Sequence, residues 1–120
     1  AVYYHPLFHV EPRLKVRTIM EWEKVKVAKP RFPKHQQPKV PLWGYEDESN
    51  PKVMERKIKT ASEFGIGVFI FEWYWYNDSS LFEKCLKEGF QRAANKQDIK
   101  FALMWDNQDW NDYTFKSLWP

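Results

Sequence analysis

Cysteine is almost absent from this sequence. Cys85 is the one example in 120 residues, which excludes an intrachain disulfide and a multi-thiolate zinc site. It shares helical spacing with Phe82, Leu86 and Phe90, so it reads as a small buried hydrophobe and not as a nucleophile. Glycine is scarce too, and only Gly65-Ile66-Gly67 sets two close together. That pair closes a helical pattern and enters an apolar one, the reverse of the order a dinucleotide loop requires. His5 and His9 stand four apart, but Pro6 between them denies the shared helical face a metal site would use, so no metal is expected. No apolar run approaches the about 18 residues of a membrane span, and mean hydropathy is -0.71. The opening Ala1-Val2-Tyr3-Tyr4 has neither an initiator Met nor a charged-then-apolar leader, and reads as a processed or excised start. A strong charge of one sign is also missing. Residues 1–60 hold 13 Lys/Arg against 7 Asp/Glu, and residues 61–120 hold 6 against 9, giving +3 in all. The basic residues are interleaved with acids and prolines, which describes a solvated surface and leaves no basic stripe for nucleic acid.

What is present in excess is aromatic: 7 Trp, 6 Tyr and 9 Phe. With 43% hydrophobic residues the chain can fold, as one domain over residues 1–120. A complete (β/α)8 barrel is too large, since it typically needs about 250 residues. Residues 2–5 form a short apolar run stopped by Pro6, consistent with a first strand. Seven of the eight prolines lie at or before residue 51, so residues 6–50 read mostly as loop. Residues 18–28 are the exception, with Ile19, Trp22 and Val25 at loose helical spacing. Asn50-Pro51 then opens a clear helix that Gly65 ends, with Met54, Ile58 and Ala61 on one stripe. Residues 66–72 form a β-branched and aromatic run, as in a strand covered on both faces. Ser80-Leu81-Phe82-Glu83 has the capping-box pattern and predicts a helix through about residue 95, with Ser79 and Ser80 as caps. Residues 99–105 read as another buried strand. Strands alternating with helices predict an α/β fold with about three parallel strands.

Strand alternation sets Val68, Ile70 and Glu72 on one face, against Phe69, Phe71 and Trp73 on the other. Likewise Ala102, Met104 and Asp106 oppose Phe101, Leu103 and Trp105. With the larger aromatics packed on covering helices, Glu72 and Asp106 fall on one side at the C-terminal strand ends, where sites form in α/β folds. Carboxyl groups there serve as an acid/base pair or as acceptors for sugar hydroxyls. Helix capping or pairing with lysine is the plainer alternative. Trp73-Tyr74-Trp75-Tyr76 is expected to follow the second strand, and Trp105 and Trp110 bracket an acidic stretch. Such rings suit stacking on pyranose faces, although an aromatic stripe more often belongs to a core. His35-Gln36-Gln37-Pro38 is a polar cluster with no mechanism readable from its spacing.

Taken in order, several stretches resemble the WbsX-type proteins, also described as glycoside-hydrolase-family-99-like domains. They are Tyr3-Tyr4, His9-Val10-Glu11-Pro12-Arg13, Glu21-Trp22-Glu23, Ala28-Lys29-Pro30-Arg31-Phe32-Pro33 and the run from His35 to Glu48. Phe69-Ile70-Phe71-Glu72-Trp73-Tyr74-Trp75-Tyr76 and Phe101-Ala102-Leu103-Met104-Trp105 follow, then Asn107 and Asp109-Trp110. The resemblance covers nearly the whole chain. It implies the N-terminal part of a (β/α)8 TIM barrel acting on glycans, as a glycosidase or as a relative carrying a glycosyltransferase name, with no cofactor. Tyr4, His9, Glu21, Trp22, His35, Gln37, Glu72, Trp73, Trp105, Asn107 and Trp110 would line the first third of its mouth. Trp75 and Asp106 join them as substrate contacts from the strand-end reading, and Glu72 is the catalytic candidate. The chain departs from the family where Asp is usual at Glu72, where Trp-Ala-Asn becomes Trp105-Asp106-Asn107, and in lacking the late acidic motif. The expectation is therefore a partial domain that binds an oligosaccharide or polysaccharide and is inactive alone. The alternative is a non-catalytic carbohydrate-binding or scaffold fragment. Its open sheet edges leave room for self-association.

Overall fold

A computed structural model describes residues 1–15 and 17–107. Its centre is β2 (Val68–Tyr76), flanked in parallel by β1 (Val2–Tyr4) and β4 (Lys100–Trp105). The register sets Val2 beside Phe69 and Tyr4 beside Phe71 on one side, and runs from Val68 with Lys100 to Trp73 with Trp105 on the other. A fourth strand, β3 (Ser79–Leu81), turns back antiparallel on Tyr74–Tyr76. The chain is thus α/β, with the three parallel strands the sequence predicts and a hairpin it does not.

The helices explain themselves locally. α1 (Met20–Lys26) falls inside the predicted 18–28 segment. α2 (Pro51–Glu63) starts where expected: the Asn50 side chain accepts the Lys52 N–H at 2.9 Å, and Pro51 occupies the first turn. At its end Gly65 takes φ 80°, the Ile66 N–H reaches the Ala61 carbonyl and the Gly65 N–H reaches that of Ser62. This double bond pattern needs the left-handed residue that glycine supplies at no steric cost. Met54, Ile58 and Ala61 are buried as one stripe. They pack with Phe69 and Phe71 of β2 and with Cys85, Leu86 and Phe90 of a π-helical segment, Cys85–Phe90. Both helical covers therefore lie on one face of the sheet, and the parallel strands are neighbours in chain order.

Three expectations are corrected. β2 does not stop at residue 72 but continues to Tyr76, because β3 offers its far end a partner. The predicted capping box does not open a helix: Ser79 and Ser80 are strand residues, and the helical segment begins later and ends at Phe90. Tertiary bonds prevail over the local signal here. The Phe82 N–H donates to Glu11 Oε2 at 2.8 Å, and Arg13 binds the carbonyls of Tyr76, Ser79 and Ser80 at 3.0, 3.0 and 2.9 Å. Finally, β4 is not buried. Phe101, Leu103 and Trp105 are 44%, 52% and 63% exposed, because the core packed on this face takes in Phe69 and Phe71 of β2 and none of these three.

Candidate functional site

Residue 5 inherits its direction from β1. A residue before proline is held extended, so His5 continues the alternation of Tyr3 and Tyr4 and emerges on the face of Glu72. Its Nδ1 lies 2.5 Å from Glu72 Oε2. Tyr74, two residues along β2 and so on the same face, donates its hydroxyl to that same oxygen at 2.5 Å. Tyr74 Oη is also 3.4 Å from His5 Nδ1, which closes a three-residue cluster at the C-terminal end of two parallel strands. The Tyr74 ring is buried edge-on against Phe82, leaving its hydroxyl as the polar end.

Charge follows from these contacts. Burial opposes ionisation of Glu72, but the hydrogen bonds from Tyr74 and His5, with the charge of His5, prevail and hold the carboxyl below its ordinary range. The Tyr74 phenol is pushed far up by burial and by its bond to Glu72, with further contributions from the charges of Asp106 and Glu21. Glu72 is accordingly an anion at neutral pH. It can accept a hydroxyl proton or stabilise positive charge, and it is unsuited to be the acid of a pair.

The other predicted residues divide by face. Asp106 extends the ladder, its N–H donating to the Trp73 carbonyl at 2.9 Å, and its charge acts on Tyr74. Glu21 joins the same electrostatic group and lies 3.6 Å from Lys24. Trp22 packs on Phe8 with centroids 4.2 Å apart and donates Nε1 to the Glu46 carbonyl at 2.7 Å. It lines a groove of about 680 Å³ beside β1, together with Tyr3, Tyr4, His5, Phe8 and Trp43. Tyr4 itself points to the helix-covered side, where its hydroxyl donates to Glu48 Oε1 at 2.8 Å.

The tryptophans are on the side opposite Glu72. Since β2 runs on through Tyr76, alternation carries Trp73 and Trp75 onto the face of Phe69 and Phe71, with Trp105 beside Trp73. The three border a hollow of about 340 Å³. Trp73 donates to Glu83 at 3.0 Å and Trp75 to the Asn77 carbonyl at 3.1 Å. Strand alternation in the sequence already opposes Trp73 and Trp105 to Glu72 and Asp106, and the structure adds Trp75 to their face because β2 runs on through Tyr76.

His9 is buried, with Nδ1 3.0 Å from the Val10 carbonyl and Nε2 without a partner among the described residues. The contacts of His35 and Gln37 stay within their own loop: His35 stacks on Phe32 at 4.5 Å, and Gln37 accepts the Lys39 N–H at 3.1 Å. Asn107 is exposed, and Trp110 lies outside the described residues. Among the described residues no three His, Cys, Asp or Glu side chains converge to hold a metal, and no helix is long and apolar enough to cross a membrane.

Sequence reasoning missed three participants. The sequence offers His5 only as a metal ligand and Tyr74 only as an aromatic; the β1–β2 register brings His5 beside Glu72, and alternation along β2 brings Tyr74 to the same face. Glu48 stands in the sequence only at the end of the run from His35 that carries the family resemblance, with no role assigned. It is buried, accepts from Tyr4, Lys57 and Cys85, and so joins β1, α2 and the π-helical segment.

Comparison with known proteins bears on what this arrangement serves. The sequence model of a family described as Glycosyltransferase WbsX matches residues 2–117. Proteins named "Uncharacterized protein WxcX", from two strains of Xanthomonas campestris pv. campestris, are 32% identical over 114 residues. The match covers 92% of this chain and 16% of each relative, so the chain spans about a sixth of their length. No solved structure matches it.

Proposed function

The chain belongs to the glycosyltransferase WbsX family, and from that premise we propose that it supplies the opening strands of a glycan-active (β/α)8 barrel whose ligand meets Glu72. The observation that carries this reading is the anchoring of Glu72, where the parallel ladder ends, by His5 following the neighbouring strand and by Tyr74. Parallel strands that neighbour one another in chain order, with α2 and the Cys85–Phe90 segment covering the same face, favour a singly wound barrel over a doubly wound sheet. In a barrel the face bearing Glu72 and Asp106 turns inward at the mouth.

The ligand class is an oligosaccharide or polysaccharide. Glycosidic-bond cleavage would use Glu72 as the anionic member of a carboxyl pair and draw its acid from another carboxyl, for which Asp106 is the candidate on this face. The family description favours a second reading, glycosyl transfer, in which an anion near the anomeric carbon has the same electrostatic use. Trp105, the most exposed of the three tryptophans, is a separate stacking platform for a sugar chain.

Calorimetry of the 120-residue chain against neutral manno-, gluco- and galacto-oligosaccharides tests the proposal. Binding without turnover is expected, weakened severalfold by Trp105→Ala and more strongly by Glu72→Gln. Release of reducing ends by a longer relative would mark hydrolysis, and consumption of an activated sugar would mark transfer. Failure of the chain to bind any of these sugars would overturn the glycan reading.

A further inference from the structure

We infer that His5 and Tyr74 are positioning residues that anchor Glu72 through one carboxylate oxygen and present the other to a hydroxyl of a neutral, not an acidic, glycan. The inference rests on the glycan reading above and names the ligand class of the same site.

Both hydrogen bonds to Glu72 end on Oε2, and neither reaches Oε1. A glutamate has three side-chain torsions to restrict, and two donors on one oxygen restrict them while the second oxygen keeps its lone pairs for another donor. The two donors are themselves held by the fold. Pro6 keeps His5 extended and is buried, while the Tyr74 ring is locked among Leu81, Phe82 and Leu7. Glu72 is 25% exposed and His5 51% exposed, so a ligand can approach this end of the cluster.

The surroundings choose the charge of that ligand. The charged groups bearing on this cluster are His5 from β1, Asp106 after β4 and Glu21 from α1, with Lys24 close to Glu21. Among the described residues, three carboxylates against one histidine and one lysine disfavour a uronate or phosphate next to Glu72. A sugar hydroxyl instead supplies a donor without adding charge, and meets an acceptor whose other bonds are already made.

The test separates the two parts. Tyr74→Phe keeps the buried ring and removes only the donor, and His5→Phe removes the other donor while keeping a flat ring. Carbon-detected NMR titration of the Glu72 carboxyl should show its pKa rising in each variant, because desolvation persists while a stabilising bond is lost. Thermal unfolding and backbone spectra control for the fold, and a merely structural role would leave the titration unmoved. Affinity for a neutral mannooligosaccharide should fall about tenfold in Tyr74→Phe. The wild type should bind that probe at least about tenfold more tightly than an oligouronate of equal length. An unchanged Glu72 titration in both variants would overturn the positioning role. Equal or tighter binding of the oligouronate would overturn the ligand class. Absence of binding to every sugar would defeat the glycan reading and the ligand class together, and the titration would still decide the positioning role.

Discussion

At the scale of the residue, the least replaceable position outside the candidate site is a glycine. A Cβ on Gly89 would stand 2.0 Å from the Glu48 carbonyl oxygen and 2.8 Å from Met54 Cγ. Met54 Cγ lies midway along a fully buried side chain, and the carbonyl is backbone of the residue whose buried carboxylate ties Tyr4, Lys57 and Cys85 together. Gly→Ala in a helical segment ordinarily stabilises by about 0.4–1 kcal/mol through the unfolded chain. Overpacking against rigid backbone costs about 1–3 kcal/mol, so the clash wins. Gly89→Ala should therefore lose about 2 kcal/mol in urea unfolding, and a gain in stability would show that the approach of Glu48 is not required. Residue identity alone could not reveal this, because the partner of Gly89 lies 41 positions away in a loop of polar sequence. Cys85 was legible for the opposite reason. Its helical spacing among apolar neighbours already implied burial, and burial does push its thiol up and leave it unreactive.

At the scale of the element, the β2–β3 hairpin depends on a segment more than sixty residues earlier. Glu11 accepts the N–H of Phe82, which sits at φ 58°, and the Arg13 guanidinium gathers three hairpin carbonyls. The accompanying ion pair with Asp78 contributes little, because Asp78 is 93% exposed. Arg13→Ala should raise hydrogen exchange across residues 76–82 by roughly tenfold or more while α2 keeps its protection. Arg13→Lys should not restore it, since a single ammonium cannot bridge several carbonyls with the geometry of a guanidinium fork. Equal exchange in wild type and Arg13→Ala would show that the hairpin holds without this latch. The same contacts explain why α2 was legible in the sequence and the 80–83 segment was not. The signals for α2 (Asn50, Pro51, Gly65 and a stripe at i, i+4, i+7) act within a few turns of one helix. The capping pattern at Ser80 competes with partners that only the fold delivers. Ser80 does still bond Glu83, but from a strand.

At the scale of the whole molecule, the parallel sheet has β1 at one edge and β4 at the other among the described residues. The apolar face of β4, with Phe101, Leu103 and Trp105, is largely uncovered. Unpaired parallel edges beside apolar surface favour pairing between copies. The 120-residue chain should therefore associate as its concentration rises, and Leu103→Lys should shift it towards the monomer in sedimentation velocity. A monomer at all accessible concentrations would show that these edges are protected.

Sequence alone determined the α/β order, the limits of α2, the three parallel strands and the shared face of Glu72 and Asp106. Each of these follows from periodicity or from capping, which operate over one turn or one pleat. Only the tertiary structure decided how far β2 extends, which residues grip Glu72, and that Trp75 joins Trp73 and Trp105 across the sheet from it. Those outcomes depend on register and on partners tens of residues away. One further antiparallel strand was enough to prolong the alternation to Tyr76 and carry Trp75 onto the face opposite the carboxylates.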